Sequence, residues 1–369
     1  MRKAGFVVHQ VSNDPRDAHE RLSQKFPHVR YLPPQMAYSL MRQVPIRFLK
    51  LGVSSGIRSL TGEEVEMIFW AVPYSPEQML KFKPVRKVIA AARYCEQRGA
   101  EIIGLGAYTS IIGEYGQQVA NAIKAGVTTG NSLTAATGVE GLLLAARRMG
   151  YDPGSCTAAV IGAGGSVGKV ASQLLAEAVG RIILVGRDPS QRALHELVDT
   201  IGRDKSRVCD LGEAVREAML FITVTSATTE LEIDPYLFQP GAVICDIARP
   251  RDISRQIAEV RDDLLVFEGA ILKVPGDDVD LGFKFGFPPG MTYACMAETM
   301  VLALEGVTTD YSLGKELELW RVREIATLAK KHGFTLAGFR SFEHALTEEQ
   351  IDQIRERAID AKAKPHRGR

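Results

Sequence analysis

Val160-Ile161-Gly162-Ala163-Gly164-Gly165-Ser166-Val167-Gly168 is the stretch on which the fold of this 369-residue chain turns. An apolar run, residues 158–161, leads into it, and residues 167–178 behind it have the composition of a helix. Glycines between a buried strand and a helix allow a tight turn and let backbone N–H groups approach a ligand closely. The helix N-terminus adds partial positive charge, so such a loop suits a pyrophosphate. The spacing reads G-x-G-G-x-x-G, not G-x-G-x-x-G. A glycine-rich loop alone is a weak signal, since a merely structural turn gives it too; its surroundings raise its weight.

Outward from the loop, strand and helix patterns alternate. Residues 181–185, 220–224, 242–245 and 264–267 are apolar runs of strand length, with helical stretches such as 190–201 between them. This alternation predicts an α/β fold, a doubly wound Rossmann-type domain over 151–290. The strand after the loop helix ends in Leu184-Val185-Gly186-Arg187-Asp188. An NAD site usually carries an acidic residue there, for the ribose hydroxyls; an NADP site carries a cation for the 2′-phosphate. Arg187 with Ser190 therefore points to NADPH as cofactor, while Asp188 leaves a ribose contact open and a solvated surface arginine is the plain alternative. Gly162, Gly164, Gly165, Ser166, Val167 and Gly168 are the candidates for the pyrophosphate. Thr225-Ser226-Ala227 follows the fourth strand, where the nicotinamide half lies in such folds, although a small-residue turn reads the same way.

Residues 1–133 mix strand-like runs (5–8, 66–72, 101–106) with a basic-faced helix at 84–93, which suits a separate α/β substrate domain. Residues 134–150, rich in Ala and Leu, predict a connecting helix behind the turn-and-cap cluster 128–132. The chain from 291 to 369 reads as a helical segment that carries Cys295 and packs back on the N-terminal domain. Thr347-Glu348-Glu349-Gln350 is a capping box for its last helix. Lys362–Arg369 reads as a frayed basic tail.

Lys plus Arg number 45 against 44 Asp plus Glu, a net charge of +1, which gives no electrostatic case for a nucleic-acid partner. The five cysteines are scattered, with no C-x-x-C pair, so no metal site is expected and reduced cytoplasmic thiols are. No run of about 18 apolar residues is present to form a transmembrane segment.

Cys295 stands in Pro288-Pro289-Gly290-Met291-Thr292-Tyr293-Ala294-Cys295-Met296-Ala297-Glu298. With Thr292 as N-cap it would be the third helical residue, where helix N–H groups favour thiolate. Taken alone, a cysteine in an Ala/Met-rich helix reads first as a small buried apolar side chain.

Several segments together resemble the cyanobacterial long-chain acyl-[acyl-carrier-protein] reductases and their bacterial relatives, over nearly the whole chain. They are Gly5-Phe6-Val7-Val8-His9, Pro33-Pro34-Gln35, residues 105–112, Thr128-Thr129-Gly130-Asn131, the glycine loop, Ala294-Cys295-Met296-Ala297-Glu298-Thr299-Met300 and Lys331-His332-Gly333-Phe334. T-T-G-N and A-C-x-A-E are the most specific. The chain departs from the cyanobacterial pattern in the third residue of its glycine loop and in the 35 residues after Phe334, so acyl length and carrier stay open. The resemblance implies that Cys295 holds an acyl group as a thioester, reduced by NADPH to an aldehyde. It implies acyl carrier protein or coenzyme A thioesters as partners, and an aldehyde-consuming enzyme downstream. Tyr108, Thr109, Ser110, Thr129 and Asn131 are the polar groups expected around the thioester, each equally readable as a turn or cap residue. Two other classes remain: a shikimate- or amino-acid-type dehydrogenase, with Lys87 or Lys124 in a Lys–Asp pair, and a non-catalytic NADP-binding partner protein.

Overall fold

The computed structural model describes residues 1–10, 13–188, 190–283 and 286–363. Residues 364–369 of the expected basic tail lie outside them. The chain divides into two compact units. Met1–Gly130, Lys273–Lys315 and Thr327–Thr335 make up the first; Asn131–Leu272, Glu316–Ala326 and the chain from Leu336 onward make up the second. The stretch after residue 290 is thus shared between the two.

In chain order the helices are α1 (Pro15–Lys25), α2 (Pro34–Met41), α3 (Pro76–Phe82), α4 (Val85–Glu96), α5 (Ile112–Tyr115) and α6 (Gln117–Ala120). They continue as α7 (Asn131–Arg148), α8 (Ser166–Ala176), α9 (Arg192–Ile201), α10 (Leu211–Glu217), α11 (Arg255–Val260), α12 (Ala294–Leu304), α13 (Leu319–His332) and α14 (Glu348–Ala363). Among the described residues no helix is long and apolar enough to cross a membrane. The capping box opens α14: Thr347 N–H donates to Gln350 Oε1 (2.8 Å) and Gln350 N–H to Thr347 Oγ1 (3.2 Å). Lys362, expected in the frayed tail, is the penultimate residue of that helix and donates to Tyr151 Oη (3.1 Å).

The first unit is built on β1 (Arg2–His9), β2 (Lys50–Val53), β3 (Val65–Val72), β4 (Ile102–Leu105) and β5 (Gly126–Thr128), in the order β2-β3-β1-β4-β5. Only β2 runs antiparallel to its neighbour. The apolar residues of β1, β3 and β4 are buried on both faces, as parallel strands covered by helices require. Glycines let those helices come close. A Cβ on Gly5 would stand 2.5 Å from Cys95 Cβ of α4, and one on Gly104 would stand 2.1 Å from Thr299 Oγ1 of α12. The two helices therefore cover opposite faces, since Gly104 pairs with Phe6, the residue after Gly5.

The second unit contains β6 (Thr157–Ile161), β7 (Arg181–Val185), β8 (Ser206–Val208), β9 (Leu220–Thr223), β10 (Val243–Asp246) and β11 (Leu265–Glu268). All pairings are parallel and the order is β11-β10-β9-β6-β7-β8. Numbered from β6, this is the 3-2-1-4-5-6 order of a doubly wound Rossmann fold. α7 lies tightly on β10, where Cys245 Sγ donates to Gly138 O (3.6 Å) and a Cβ on Gly138 would meet Ile247 Cδ1 at 2.3 Å. Phe221, Ile244, Ala214, Val215 and Ile257 form the core on the opposite face.

Candidate functional site

The glycine loop folds over the end of β7. The N–H groups of Gly162 and Ala163 both donate to Val185 O (2.8 and 3.0 Å). Gly162 has φ +96°, and a Cβ there would meet Val224 O at 2.6 Å. A Cβ on Gly168 would stand 2.1 Å from Gly162 O. These two glycines are required by the turn itself. Gly165 is the N-cap of α8, so the N–H groups of Ser166, Val167 and Gly168 have no acceptor within the helix. They stand at the carboxyl end of β6, between the strands where the sheet order reverses. Such a site fits the pyrophosphate of a dinucleotide. Asn131, the first residue of α7, donates from Nδ2 to Ser166 Oγ (3.1 Å).

At the end of β7, Arg187 is exposed and has no ion pair among the described residues. Asp188 is occupied by its own turn: it accepts from Ser190 N–H (2.9 Å) and Ser190 Oγ (2.8 Å), bonds that hold its carboxyl below the usual range. The acid that left a ribose contact open and the serine expected beside Arg187 thus satisfy each other. Gln191 was not singled out by sequence. Its Oε1 lies 3.0 Å from the position of a Cβ on Gly164 and 3.3 Å from one on Gly186, so the side chain sits between the loop and the strand end.

Beyond β9, Thr225 donates from N–H (2.8 Å) and Oγ1 (2.5 Å) to the two oxygens of Asp252, with exposed Ser226 following in the loop. Asp252 is fully buried, and burial and the neighbouring Asp246 push it up to about 7. Asp246, at the end of β10, accepts from the N–H groups of Ala248, Asp252 and Ile253 (2.9, 3.0 and 3.0 Å); burial pushes it up as well. Two acids six residues apart around Arg249-Pro250-Arg251 were the signal available in the sequence.

In the first unit, Cys295 is the second residue of α12, whose N-cap is Tyr293, not Thr292. Thr292 belongs to a short strand, Met291–Tyr293, and its buried hydroxyl turns to Met296 Sδ (3.3 Å), so it caps nothing. Cys295 is half-buried, whereas Cys95, Cys209 and Cys245 are buried. Burial pushes the Cys95 thiol up to about 12, Cys209 to about 11 and Cys245 higher still. The main chain of the T-T-G-N segment is shaped around Cys295. Gly130 has φ +74°, and a Cβ on it would stand 2.3 Å from Cys295 Cα and 2.4 Å from its Cβ. Thr128 Oγ1 donates to the buried Glu298 Oε1 (2.5 Å), which ties the end of β5 to α12.

Three of the expected polar groups are spent on the fold. Thr109 Oγ1 lies within 3.0 Å of Val7 O and Gly106 O, Ser110 Oγ donates to Ala107 O (2.6 Å) and Thr129 Oγ1 to Ser312 O (2.5 Å). A hydroxyl has one proton, so Ser110 and Thr129 have none left for an oxyanion. Tyr108 packs its ring on His9 (5.4 Å between centroids) and donates its N–H to His9 Nε2 (3.2 Å). Burial lowers His9 to about 4, so it is a neutral, structural imidazole.

The conspicuous K-H-G-F segment has a structural explanation. His332 Nε2 donates to Glu305 Oε1 (2.7 Å) and Nδ1 takes the Ser59 hydroxyl (2.7 Å). This has the order of a nucleophile–base–acid triad, but Ser59 is only 4% exposed and also accepts from Thr61 N–H, so it clamps the loop. The ammonium groups of Lys87 and Lys124 pair with no carboxylate among the described residues, and no group of three His, Cys, Asp or Glu among them could hold a metal.

Residues 144–267 match the shikimate/quinate 5-dehydrogenase family model. The chain is 32% identical over 310 residues to the aminotransferase PigE of a Serratia species, covering 81% of this chain and 36% of that protein, so it spans about a third of the relative's length. It is 28% identical over 294 residues to the long-chain acyl-[acyl-carrier-protein] reductase of Synechococcus elongatus, covering 75% of this chain and 84% of that one. Among solved structures, the L-tryptophan dehydrogenase of Nostoc punctiforme is loosely similar, with a TM-score of 0.42 and 14% identity over 98% of this chain and 90% of that one. The second unit is a Rossmann-type dinucleotide-binding unit, and the chain has the fold type of the NAD(P)-dependent dehydrogenases and reductases.

Proposed function

We propose that this protein reduces a long-chain fatty acyl thioester, carried on acyl carrier protein or coenzyme A, to the aldehyde, with NADPH as reductant and Cys295 as acyl acceptor. The observation that carries the proposal is the contact of Gly130 with Cys295. The two most specific segments of the resemblance, far apart in sequence, meet around one half-exposed thiol at the start of a helix. The Synechococcus relative, a long-chain acyl-[acyl-carrier-protein] reductase, supports the same chemistry.

Cys295 Sγ, as thiolate, attacks the acyl carbonyl carbon. The carbon–sulfur bond to the carrier breaks, and the carrier thiol leaves with the proton that Cys295 gave up. Exchange of one thioester for another is nearly thermoneutral, so this step needs little driving force. NADPH, when bound, supplies two electrons and one hydrogen to that carbon. The backbone of Gly162–Gly168 and the Ser166 hydroxyl hold the pyrophosphate, Arg187 with Gln191 holds the 2′-phosphate, and Thr225, fixed by Asp252, meets the nicotinamide half. Asn131 retains a second amide N–H after its bond to Ser166 and serves as a side-chain donor for the oxyanion. The carbon–sulfur bond to Cys295 then breaks as the carbonyl re-forms, releasing the aldehyde to an aldehyde-consuming enzyme. The balance is one NADPH and one proton for each aldehyde and free carrier thiol.

Intact-mass measurement after incubation with palmitoyl-coenzyme A, without NADPH, tests the first step. One acyl adduct is expected on the wild type and none on Cys295→Ser. No adduct on the wild type, or unchanged reductase activity in Cys295→Ser, would sink the nucleophile assignment; full activity in Cys295→Ala would favour a dehydrogenase without covalent catalysis.

A further inference from the structure

A surface of the first unit takes no part in this chemistry. α1, α2 and the turns around them enclose a groove of about 240 Å³ lined by apolar side chains, among them Leu22, Phe26, Ala37, Leu40, Val44 and Phe48. Large apolar side chains also project from it: Tyr31 is 72% exposed, Met36 50%, Phe48 44% and Leu40 38%. Met36 and Leu40 are one turn apart on α2. From Pro15 to Gly62 the sequence contains eight cations (Arg16, Arg21, Lys25, Arg30, Arg42, Arg47, Lys50 and Arg58) and two acids (Asp17 and Glu20), in a chain balanced overall at 45 to 44. Arg30 lies over the Tyr31 ring (4.7 Å), Arg47 over Phe48 (4.8 Å) and Arg42 over Phe82 (4.6 Å). None of these three has an ion pair among the described residues.

We propose that this face docks on an anionic lipid surface. Tyr31, Met36, Leu40 and Phe48 enter the boundary between headgroups and acyl chains, while Arg30, Arg42 and Arg47 meet the headgroup phosphates. Aromatic rings with cations at their own level are the composition that the membrane interface selects. An excess of cations over acids supplies the attraction to a negative leaflet, and the long arginine stems let charge and apolar surface share one plane. A folded acidic protein would need matching relief for four separate projections; a fluid bilayer accommodates them without it. The docking is peripheral and does not depend on the proposed reaction.

Co-sedimentation with vesicles tests it, using phosphatidylcholine alone or with about a third of phosphatidylglycerol, at low and high salt. The full chain is expected to sediment with the anionic vesicles at low salt only. Arg30→Gln with Arg47→Gln, both exposed positions, should weaken partitioning roughly thirtyfold, at about fivefold per cation. Leu40→Ser with Phe48→Ser should weaken it at low salt, with all the arginines still in place. A wild-type urea midpoint in the emission of Trp70, buried in the same unit, shows that each variant is folded. Failure of the wild type to sediment with anionic vesicles, equal binding to phosphatidylcholine alone, or wild-type binding by the double arginine variant overturns the proposal. Retention on an immobilised acidic carrier protein, lost in the arginine variant and without vesicle binding, overturns it in favour of a protein partner.

Discussion

Gly130→Ala separates the two demands made on that residue. The first is conformational: at φ +74° an alanine costs about 1–2 kcal/mol over glycine. The second is steric. The new methyl would stand 2.3 Å from Cys295 Cα and 2.7 Å from its carbonyl oxygen, so main chain must move, at ~1–3 kcal/mol. Together the substitution should cost about 2–5 kcal/mol. Gly290→Ala is the control: it has φ +76° and no atom within 4 Å of the added methyl, so only the first cost applies. Trp70, fully buried in the first unit and stacked on Tyr94, reports unfolding by urea through its emission. The midpoint is expected to fall clearly further for Gly130→Ala than for Gly290→Ala. Acylation of Cys295 by palmitoyl-coenzyme A, followed by intact mass, should slow about 10–100-fold, because displacement of a reacting group by up to ~1 Å costs that much. NADPH binding should be unchanged. Equal midpoints for the two variants together with wild-type acylation would refute the claim that Gly130 shapes the thiol site.

Gly168→Ala places a methyl 2.1 Å from Gly162 O, so NADPH affinity, read by nucleotide fluorescence, should fall at least about tenfold while acylation of Cys295 persists. Arg187→Ala should lower affinity for NADPH by about 10–100-fold and leave NADH within about twofold; equal losses would remove the arginine from the 2′-phosphate. Thr128→Val takes one donor from the buried Glu298 carboxylate and should cost ~1–3 kcal/mol in the urea unfolding of the first unit. Asp252 keeps its proton in the folded chain up to about pH 7, while an unfolded aspartate releases it near 3.8. Its contribution to stability is therefore greatest below about pH 4, declines as pH rises to about 7 and is flat above. Asp252→Asn should gain in melting temperature relative to wild type across that window; a constant difference from pH 4 to 8 would contradict the raised carboxyl.

The nucleotide unit was legible because each parallel strand, buried on two faces, is a continuous apolar run, and because the turn between Ile161 and Ser166 tolerates only glycine at its tight points. β5 and β8 escaped notice since each has three residues, and Ser206-Arg207-Val208 sits at a sheet edge without an apolar run. The thiol environment was harder. Gly130, Ser312 and the helix start that carries both Cys295 and Glu298 come from three separate segments, and only the resemblance linked two of them. Residue type also misled: serine and threonine suggest donors, yet at Ser110 and Thr129 the hydroxyl answers a carbonyl of the main chain. Thr292 has the composition of a cap but was one position too early, its hydroxyl being held by Met296.

The division of the chain bears on the order in which it can be made. It crosses between units after residues 130, 272, 315, 326 and 335. The strands of the nucleotide sheet all lie between residues 157 and 268, an uninterrupted stretch, so that sheet can assemble while the rest is still being synthesised. The first sheet begins at residue 2 but waits for α12 to cover the face at Gly104, almost 300 residues later. During synthesis the sheet begun first is thus covered only after the strands of the nucleotide sheet are all made, with an apolar sheet face bare in the interval. Neither unit can be obtained by cutting the chain once, and recombination that moves one of them into another protein must carry the other with it.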